Sequence, residues 1–467
     1  MPLTEPLDWR NTNDQERALL DNLQANVLTG HVREHFAAWF LSFGDATEAR
    51  AFLSALAEIV KSAHSALWER AAFHAGLGGG TPYVGLALSR AGYDALGAAA
   101  PGGAAFSAGM RARNGGGPFP PDLADPPVQD WESGYQPEAH AVVLLGDATA
   151  DGLDRAEDAV RHLLPASGSV AVLHREEGCG ITNNDGVGIE HFGYVDGRSQ
   201  PLFLSEEVDA EPEVRWNPAF PLDQLLVAED GDLATSTHCG SFLVFRKLEQ
   251  NVRLFQQEEE RLAADLALAG DDVDRAGAML VGRFRDGTAL VESEEALKPG
   301  RAVTNDFTYD GDPEGSRCPA FAHIRTTNPR GSGGAEPLEE ERRHIMARRG
   351  ITYGTRWDDP NADLPPSARP TGGVGLLFMA FMSSIEDQFE FTQRIWANNP
   401  GFPLPPAPQP VGLDPVIGQG PRGDALQCPV RWGDPTSTTD ANPVEQAVTL
   451  KGGDYFFAPS IPFLRSL

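Results

Sequence analysis

GLLFMAFM, at residues 375–382, is an unbroken apolar run of strand length, and the residues after it repeat apolar side chains at helical spacing. Two earlier stretches, which begin HAVVLL and GSFLVF, follow the same order of apolar run and then helix. A short apolar run predicts a buried strand, whereas a period near 3.6 predicts an amphipathic helix. The three units are 140–145 with 151–164, 240–245 with 251–268, and 375–382 with 384–398. They favour an α+β fold in which helices cover antiparallel sheets.

The N-terminal part adds two predicted helices. The first begins at Asn13 or Asp14, carries apolar side chains from Leu19 to Leu28 and ends at Gly30, and the second spans about 34–61. Further on, the turn-rich segment EEGCGITNNDGVG predicts a boundary between structural units. We therefore expect an N-terminal domain over residues 1–185 and a C-terminal domain over 186–467.

Amino-acid composition and net charge limit which class of protein this is and which partners it can have. The 467 residues include 41% hydrophobic and 22% charged side chains, which is ordinary for a globular protein. The net charge of -30 repels phosphate groups, so neither nucleic acid nor an anionic membrane is an expected partner. Because the sequence shows no secretory signal and no apolar run of about 18 residues, a cytoplasmic location is predicted. The four cysteines have no metal-site spacing and are expected to be reduced.

Three motifs carry candidate chemistry. In EHFGYVDGRSQP (190–201), Asp196 stands between Gly193 and Gly197, which lets a tight turn aim one carboxylate at a ligand. In RCPAFAHIRTTNPR (317–330), His323 lies between apolar and cationic residues, as suits a haem. The third motif, RRHIMARRGITYG (342–354), is basic in an acidic chain. Taken singly, each has a plain alternative: an Asx-turn, a hydrogen-bonded core histidine and a solvated basic loop.

In this order, the three motifs resemble the dye-decolourising peroxidases. Three further stretches look like matching segments of that family: GSFLVFRKLEQNV (240–252), GLLFMAFMSSIEDQFEF (375–391) and GLDPVIGQ (412–419). The resemblance implies a pair of ferredoxin-like domains with surrounding helices. It also implies one haem b per chain, bound in the C-terminal domain.

The resemblance also assigns roles to single residues. His323 is the expected iron ligand, and Asp414 is the expected carboxylate behind it, although an aspartate that caps the turn before Pro415 is the alternative. Asp196 is the expected distal acid–base group. Arg348 is the expected distal cation, with Arg349 as second choice.

Five more residues receive assignments. The resemblance places His191 near a haem propionate. Leu376 and Phe378 are expected on the distal wall as alternating residues of one strand, with plain core packing as the alternative. A surface Trp396, or else Tyr353, is a candidate electron relay to large donors, and for Trp396 the alternative is a packed amphipathic anchor.

The predicted activity is that of a haem peroxidase. Such an enzyme reduces hydrogen peroxide and oxidises dyes, phenols or similar small electron donors through a ferryl intermediate. The alternatives are a haem-binding storage or delivery protein, which would not need Asp196 and Arg348, and an α+β scaffold without haem. The sequence leaves the oligomeric state open between monomer and dimer.

Overall fold

The computed structural model describes residues 3–30, 34–78, 80–113, 123–211, 215–297, 303–423 and 425–467. Its strands are β1 (His35–Phe43), β2 (Tyr83–Leu88), β3 (Ala141–Asp147), β4 (Val170–Cys179), β5 (Ile181–Thr182), β6 (Gly188–Ile189), β7 (Val227–Ala228), β8 (Cys239–Gln250), β9 (Ala347–Arg348), β10 (Ile351–Tyr353), β11 (Gly375–Met382), β12 (Leu426–Pro429), β13 (Thr438–Ala441) and β14 (Val448–Ala458).

The α-helices are α1 (Asp14–Asn22), α2 (Ala46–Leu56), α3 (Ala63–His74), α4 (Arg90–Leu96), α5 (Ala104–Ala108), α6 (Ala150–Leu163), α7 (Ser205–Val208), α8 (Val252–Asp265), α9 (Val273–Val281), α10 (His323–Thr327), α11 (Leu338–Arg343) and α12 (Ile461–Ser466). Two π-helical segments follow β11, at Ile385–Glu390 and Thr392–Ala397. Such wide turns are rare and occur often at functional sites.

One large antiparallel sheet dominates the molecule. Its strand order is β10-β11-β8-β14-β2-β3-β1-β4, with β7 added to β8 and β9 added to β11. The N-terminal strands β1 to β4 are therefore neighbours, and they join the C-terminal strands through the pairing of β2 with β14 at Leu88 and Phe457. The two ends of this order also meet, because the Thr352 hydroxyl of β10 donates to the carbonyl of Cys179 on β4.

The predicted strand-and-helix units are present. The three apolar runs form β3, β8 and β11, and these strands precede α6, α8 and the π-helical segments. Residues in the centres of these strands are fully buried, among them Val143, Phe245 and Met379. The α+β prediction, with antiparallel strands and surrounding helices, is confirmed.

Two predictions for the N-terminal region are wrong in part. The stretch 34–61 does not form one helix, because β1 covers His35–Phe43 before α2 begins. Strand β1 is buried on both faces, so its sequence lacks the alternation that marks a strand with one exposed face. Helix α1 starts after Asn13, whose side chain caps it, but ends at Asn22 and not near Gly30.

The division at residue 185 stays a prediction, since one continuous sheet and one main hydrophobic core include residues from both halves. Within the part of the chain that the structure describes, no helix is long and apolar enough to cross a membrane. The cytoplasmic location is likewise still a prediction. All four cysteines are free, and only Cys179 is exposed.

Candidate active site

Residues from all three motifs line one large cavity. It contains about 1680 Å³ of empty space, including space that is open to solvent. Asp196, His323 and Arg348 all contribute to its wall, together with residues of β8, β11 and the π-helical segments. Side chains separated by more than a hundred residues in the chain therefore face one space.

On one side of the cavity, a histidine is backed by a buried carboxylate. His323 is the first residue of α10, and its Nδ1 donates to Asp414 Oδ2 at 2.9 Å. The Asp414 side chain is fully buried, and its Oδ1 accepts the backbone N–H groups of Val416 and Ile417 at 2.8 Å each. Because Nδ1 is engaged, Nε2 is the ring nitrogen left to bind a metal, and the carboxylate makes that nitrogen more basic.

Elsewhere on the cavity wall, an aspartate faces an arginine. Arg348 Nη1 lies 3.8 Å from Asp196 Oδ1, and about a third of each side chain is exposed. Asp196 is presented by a turn in which Gly193 and Gly197 have φ of 98° and 80°, values that favour glycine. Arg348 is held by the carbonyl of Arg198, which accepts from its Nη2 at 2.7 Å.

The cavity wall between these groups includes alternating residues of β11. Leu376 and Phe378 line the cavity and are half-buried. Leu377 and Met379, on the opposite face, are completely buried in the core. A flat apolar ligand in the cavity would therefore contact one face of β11, while the side chains of the other face pack in the core.

Sequence and structure comparisons identify the family, although no protein-family model matches the chain. The multifunctional dye peroxidase DyP2 of Amycolatopsis sp. (strain ATCC 39116 / 75iv2) is 53% identical over 470 residues, which cover 100% of this chain and 99% of that protein. The solved structure of DyP2 from Amycolatopsis sp. ATCC 39116 matches with a TM-score of 0.93 at 52% identity, over 100% of both chains. The chain belongs to the dye-decolourising peroxidases.

Further solved members agree with this assignment. The DyP-type peroxidase of Anabaena sp. has a TM-score of 0.85 at 36% identity and covers 99% of this chain and 97% of its own. A dye-decolourising peroxidase in complex with 2,6-dimethoxyphenol has a TM-score of 0.77 at 28% identity, over 96% of this chain and 98% of that one. This dye-decolourising peroxidase is thus a haem-dependent oxidoreductase with the ferredoxin-like fold of its family.

The sequence motifs did not single out two buried arginines of this peroxidase. Arg283 and Arg330 both line the cavity, and each donates from Nη2 to Asn305 Oδ1 at 2.9 Å and to the Ser199 hydroxyl at 3.1 and 2.8 Å. Burial lowers the pKa of Arg283 to about 10 and that of Arg330 to about 9. Neither forms an ion pair with a residue that the structure describes. Buried charges are normally paired, so this cluster fits an anionic ligand.

A signal in the sequence existed for only one of the two. Arg330 ends the motif that contains His323, so its position was quoted but not interpreted. Arg283 lies two residues after α9 in GRFRDG, where nothing local distinguishes it from a surface arginine. Its contact with the cavity depends on where α9 packs.

A polar pair on the wall was also missed. Glu190 accepts hydrogen bonds from the amides of Phe192 at 2.8 Å and Tyr194 at 3.0 Å, and from the side chain of Gln250. Burial raises the pKa of Glu190 to about 7. The other amide atom of Gln250, Oε1, is buried and has no hydrogen-bond partner among the described residues.

His191 is not among the residues that line the cavity, and its place near a haem propionate stays a prediction. Its Nε2 donates to the carbonyl of Tyr353 at 2.8 Å, and the residue is 1% exposed. Burial lowers the pKa of His191 to about 4, so the ring is neutral. A tight turn at Gly193 reverses the chain between His191 and Asp196, with the Gly193 amide donating to the Glu190 carbonyl at 2.9 Å.

The prediction of a surface tryptophan is wrong. Trp396 is 2% exposed, with its ring stacked on Phe402 and an edge contact to Phe391. The alternative, an aromatic anchor packed against the domain, is the arrangement found. Tyr353, the second relay candidate, is also buried, at 6% exposure.

Proposed function

We propose that the cavity binds one haem b and that His323 Nε2 would bind its iron. The buried carboxylate of Asp414 supports this role, because a carboxylate partner orients a ligating imidazole and strengthens it. Arg283 and Arg330 are the residues that would hold the haem carboxylates, since they supply charged donors that lack anionic partners. Leu376 and Phe378 would pack against the macrocycle.

The proposed haem-binding unit is the C-terminal domain, residues 186–467. Every residue that lines the cavity, from Glu190 to Val448, lies in that range. The N-terminal strands contribute to the common sheet but not to the cavity wall.

We propose that the enzyme reduces hydrogen peroxide and takes electrons from small donors such as phenols and dyes. The observation that carries this function is the pairing of Asp196 with Arg348 in the wall of the cavity that His323 also lines. The bound haem supplies the redox-active iron. The complex of a related dye-decolourising peroxidase with 2,6-dimethoxyphenol supports phenols as one class of donor.

Asp196 moves the proton in this mechanism. Its Oδ1 accepts the amide of Gly197 at 2.7 Å and faces Arg348, so Oδ2 is the atom to which we assign proton transfer. It takes a proton from one peroxide oxygen and returns it to the other, so that the departing oxygen leaves as water. Two electrons and two protons from the donors, with the electrons passed on through the bound haem, would reduce the remaining oxygen to water. Arg348 orients the peroxide and stabilises the negative charge that develops as the O–O bond breaks.

The test is to change Asp196→Asn and Arg348→Leu separately in the haem-loaded protein. We expect each variant to keep its haem but to consume peroxide at least about tenfold more slowly, measured by stopped-flow absorbance without a donor. Asp94→Asn breaks an exposed Asp–Arg pair on α4 and serves as the control. A haem carrier has no need of the distal pair, so unchanged rates in both variants would favour that alternative.

A further inference from the structure

Arg349 is adjacent to the distal arginine but is turned away from the cavity. It is 8% exposed, and its guanidinium donates to four backbone carbonyls. Nε donates to Asn26 at 2.8 Å, and Nη2 donates to Val27 and Leu28 at 3.0 and 3.1 Å. Nη1 donates to the carbonyl of Arg348 itself at 2.9 Å. One side chain thus connects the distal arginine to a segment more than three hundred residues earlier in the chain.

The segment 26–28 presents its carbonyl groups to a cation. It follows α1, is buried, and begins with Asn26 in the left-handed region at φ 74°. Buried backbone carbonyl groups need hydrogen-bond donors. The three carbonyl groups of residues 26–28 converge outside a regular helix, so they need one donor group whose shape matches all three. A guanidinium carries five N–H donors in a rigid fork, whereas a lysine ammonium is a compact point charge. Arginine therefore suits this position for a geometric reason.

Among the described residues, few other hydrogen bonds hold the backbone at Arg348. Strand β9 contains only Ala347 and Arg348, and it pairs with β11 at two positions. The Arg348 amide donates to the Gln200 side chain at 3.1 Å, which connects it to the segment after Asp196. The remaining support comes from Arg349, whose amide donates to the Met379 carbonyl at 2.6 Å and whose side chain bonds the Arg348 carbonyl.

We infer that Arg349 is a positioning residue for Arg348, and that residues 26–28 of the N-terminal half form part of the distal scaffold. This inference rests on the proposed function, in which Arg348 acts on the peroxide. Arg349 itself contacts no reacting atom. Its effect is to fix the peptide from which the Arg348 side chain reaches toward Asp196.

The first experiment compares Arg349→Lys with Arg342→Lys in haem-loaded protein. Arg342 is a matched control because it is also 8% exposed and also donates to backbone carbonyls, those of Asn217 and Ala219. We expect Arg349→Lys to slow peroxide consumption by about tenfold to a hundredfold, because small displacements of a catalytic group are costly. Haem content and the rate of donor oxidation at saturating peroxide should stay near the parent values. Arg342→Lys should lower the Tm to a similar extent without slowing peroxide consumption. Equal slowing in both variants would overturn the inference.

A double mutant separates positioning from general loss of structure. If Arg349 acts through Arg348, then adding Arg349→Lys to Arg348→Leu causes no further slowing, since the two changes remove the same contribution. Additive slowing contradicts the inference. If Arg348→Leu alone has the parent rate, the proposed role of Arg348 fails. If Arg348→Leu is slow but Arg349→Lys is not, only the positioning role fails.

A milder variant covers the case in which Arg349→Lys does not fold. Asn26→Ala places a residue that disfavours the left-handed region at φ 74° and so disturbs the carbonyls that Arg349 binds. We expect slower peroxide consumption by a few-fold with haem content retained. A folded Asn26→Ala variant that consumes peroxide at the parent rate contradicts the inference.

Discussion

The two sides of the cavity differ in how firmly their polar groups are held. His323 and Asp414 are 2.9 Å apart, and the Asp414 side chain has no exposed surface. Asp196 and Arg348 are 3.8 Å apart at their nearest charged atoms, and 37% and 35% of their side chains are exposed. The His323–Asp414 pair thus has one fully buried member, whereas both members of the Asp196–Arg348 pair are open to solvent. A metal ligand benefits from a constant orientation, whereas a proton-transfer group must meet a substrate that enters and water that leaves.

The local backbone explains this difference. The Asp414 carboxylate accepts two backbone amides in addition to His323, so three donors fix it. The Asp196 carboxylate accepts only the neighbouring amide of Gly197 among the described residues and sits in a glycine-flanked turn. Burial and hydrogen bonds fix the Asp414 carboxylate, whereas the position of the Asp196 carboxylate depends on the neighbouring segments.

The largest expected effect comes from removing the imidazole of His323, a member of the more firmly held pair. His323→Ala should lose most of its haem, because His344, the other histidine that lines the cavity among the described residues, has both ring nitrogens in hydrogen bonds. The ratio of haem absorbance to protein in the purified variant measures this. His344→Ala is the control, since His344 also lines the cavity. A His323→Ala protein that retains the parent's spectrum and haem content would show that the ligand is another residue.

A smaller effect is expected when the negative charge of the Asp414 carboxylate is removed. Asp414→Asn should lower haem affinity or the rate of peroxide consumption by about 10–100-fold, the usual range for the partner of a metal-ligating histidine. Asp358→Asn is the control for a lost buried charge, because Asp358 is equally buried and pairs with Arg356 and Arg369. If the two variants behave alike, Asp414 has only a structural role, as a turn-capping aspartate would.

The smallest expected effect is a change of Tm with pH that arises from Glu190, in the turn that leads to Asp196. The pKa of Glu190 is raised by burial from 4.5 to about 7, so the folded state holds a proton that the unfolded state releases in that interval. The resulting stabilisation is complete below about pH 4.5 and is lost as the pH rises through about 7. The Tm of the parent, relative to that of Glu190→Gln, should therefore fall between about pH 5 and about pH 8. A difference in Tm that does not change with pH would mean that Glu190 titrates normally. Glu177→Gln, at an exposed carboxylate that pairs with Arg175, is the control.

Much of the fold was predictable because strong local patterns agreed with it. The apolar runs of β3, β8 and β11 are short, bounded by polar residues and followed by helical periodicity. The same reasoning failed for β1, since a strand that is buried on both faces has the composition of a buried helix. It also failed for Trp396, where a polar helix end suggested a surface that the tertiary packing covers.

The sequence by itself determined the family, the α+β class and the three motifs with His323, Asp196 and Arg348, because motif chemistry depends on residue types at short spacing. Only the tertiary structure decided which groups meet. It brought Asp414 to His323 across 91 positions and placed Arg283 and Arg330 around one amide oxygen. It also sent Arg349 away from the cavity to residues 26–28. Two adjacent arginines are alike in the sequence, but Arg348 is the last residue of β9 and lines the cavity, whereas Arg349 follows the strand and is buried against residues 26–28, so packing alone assigns them different environments.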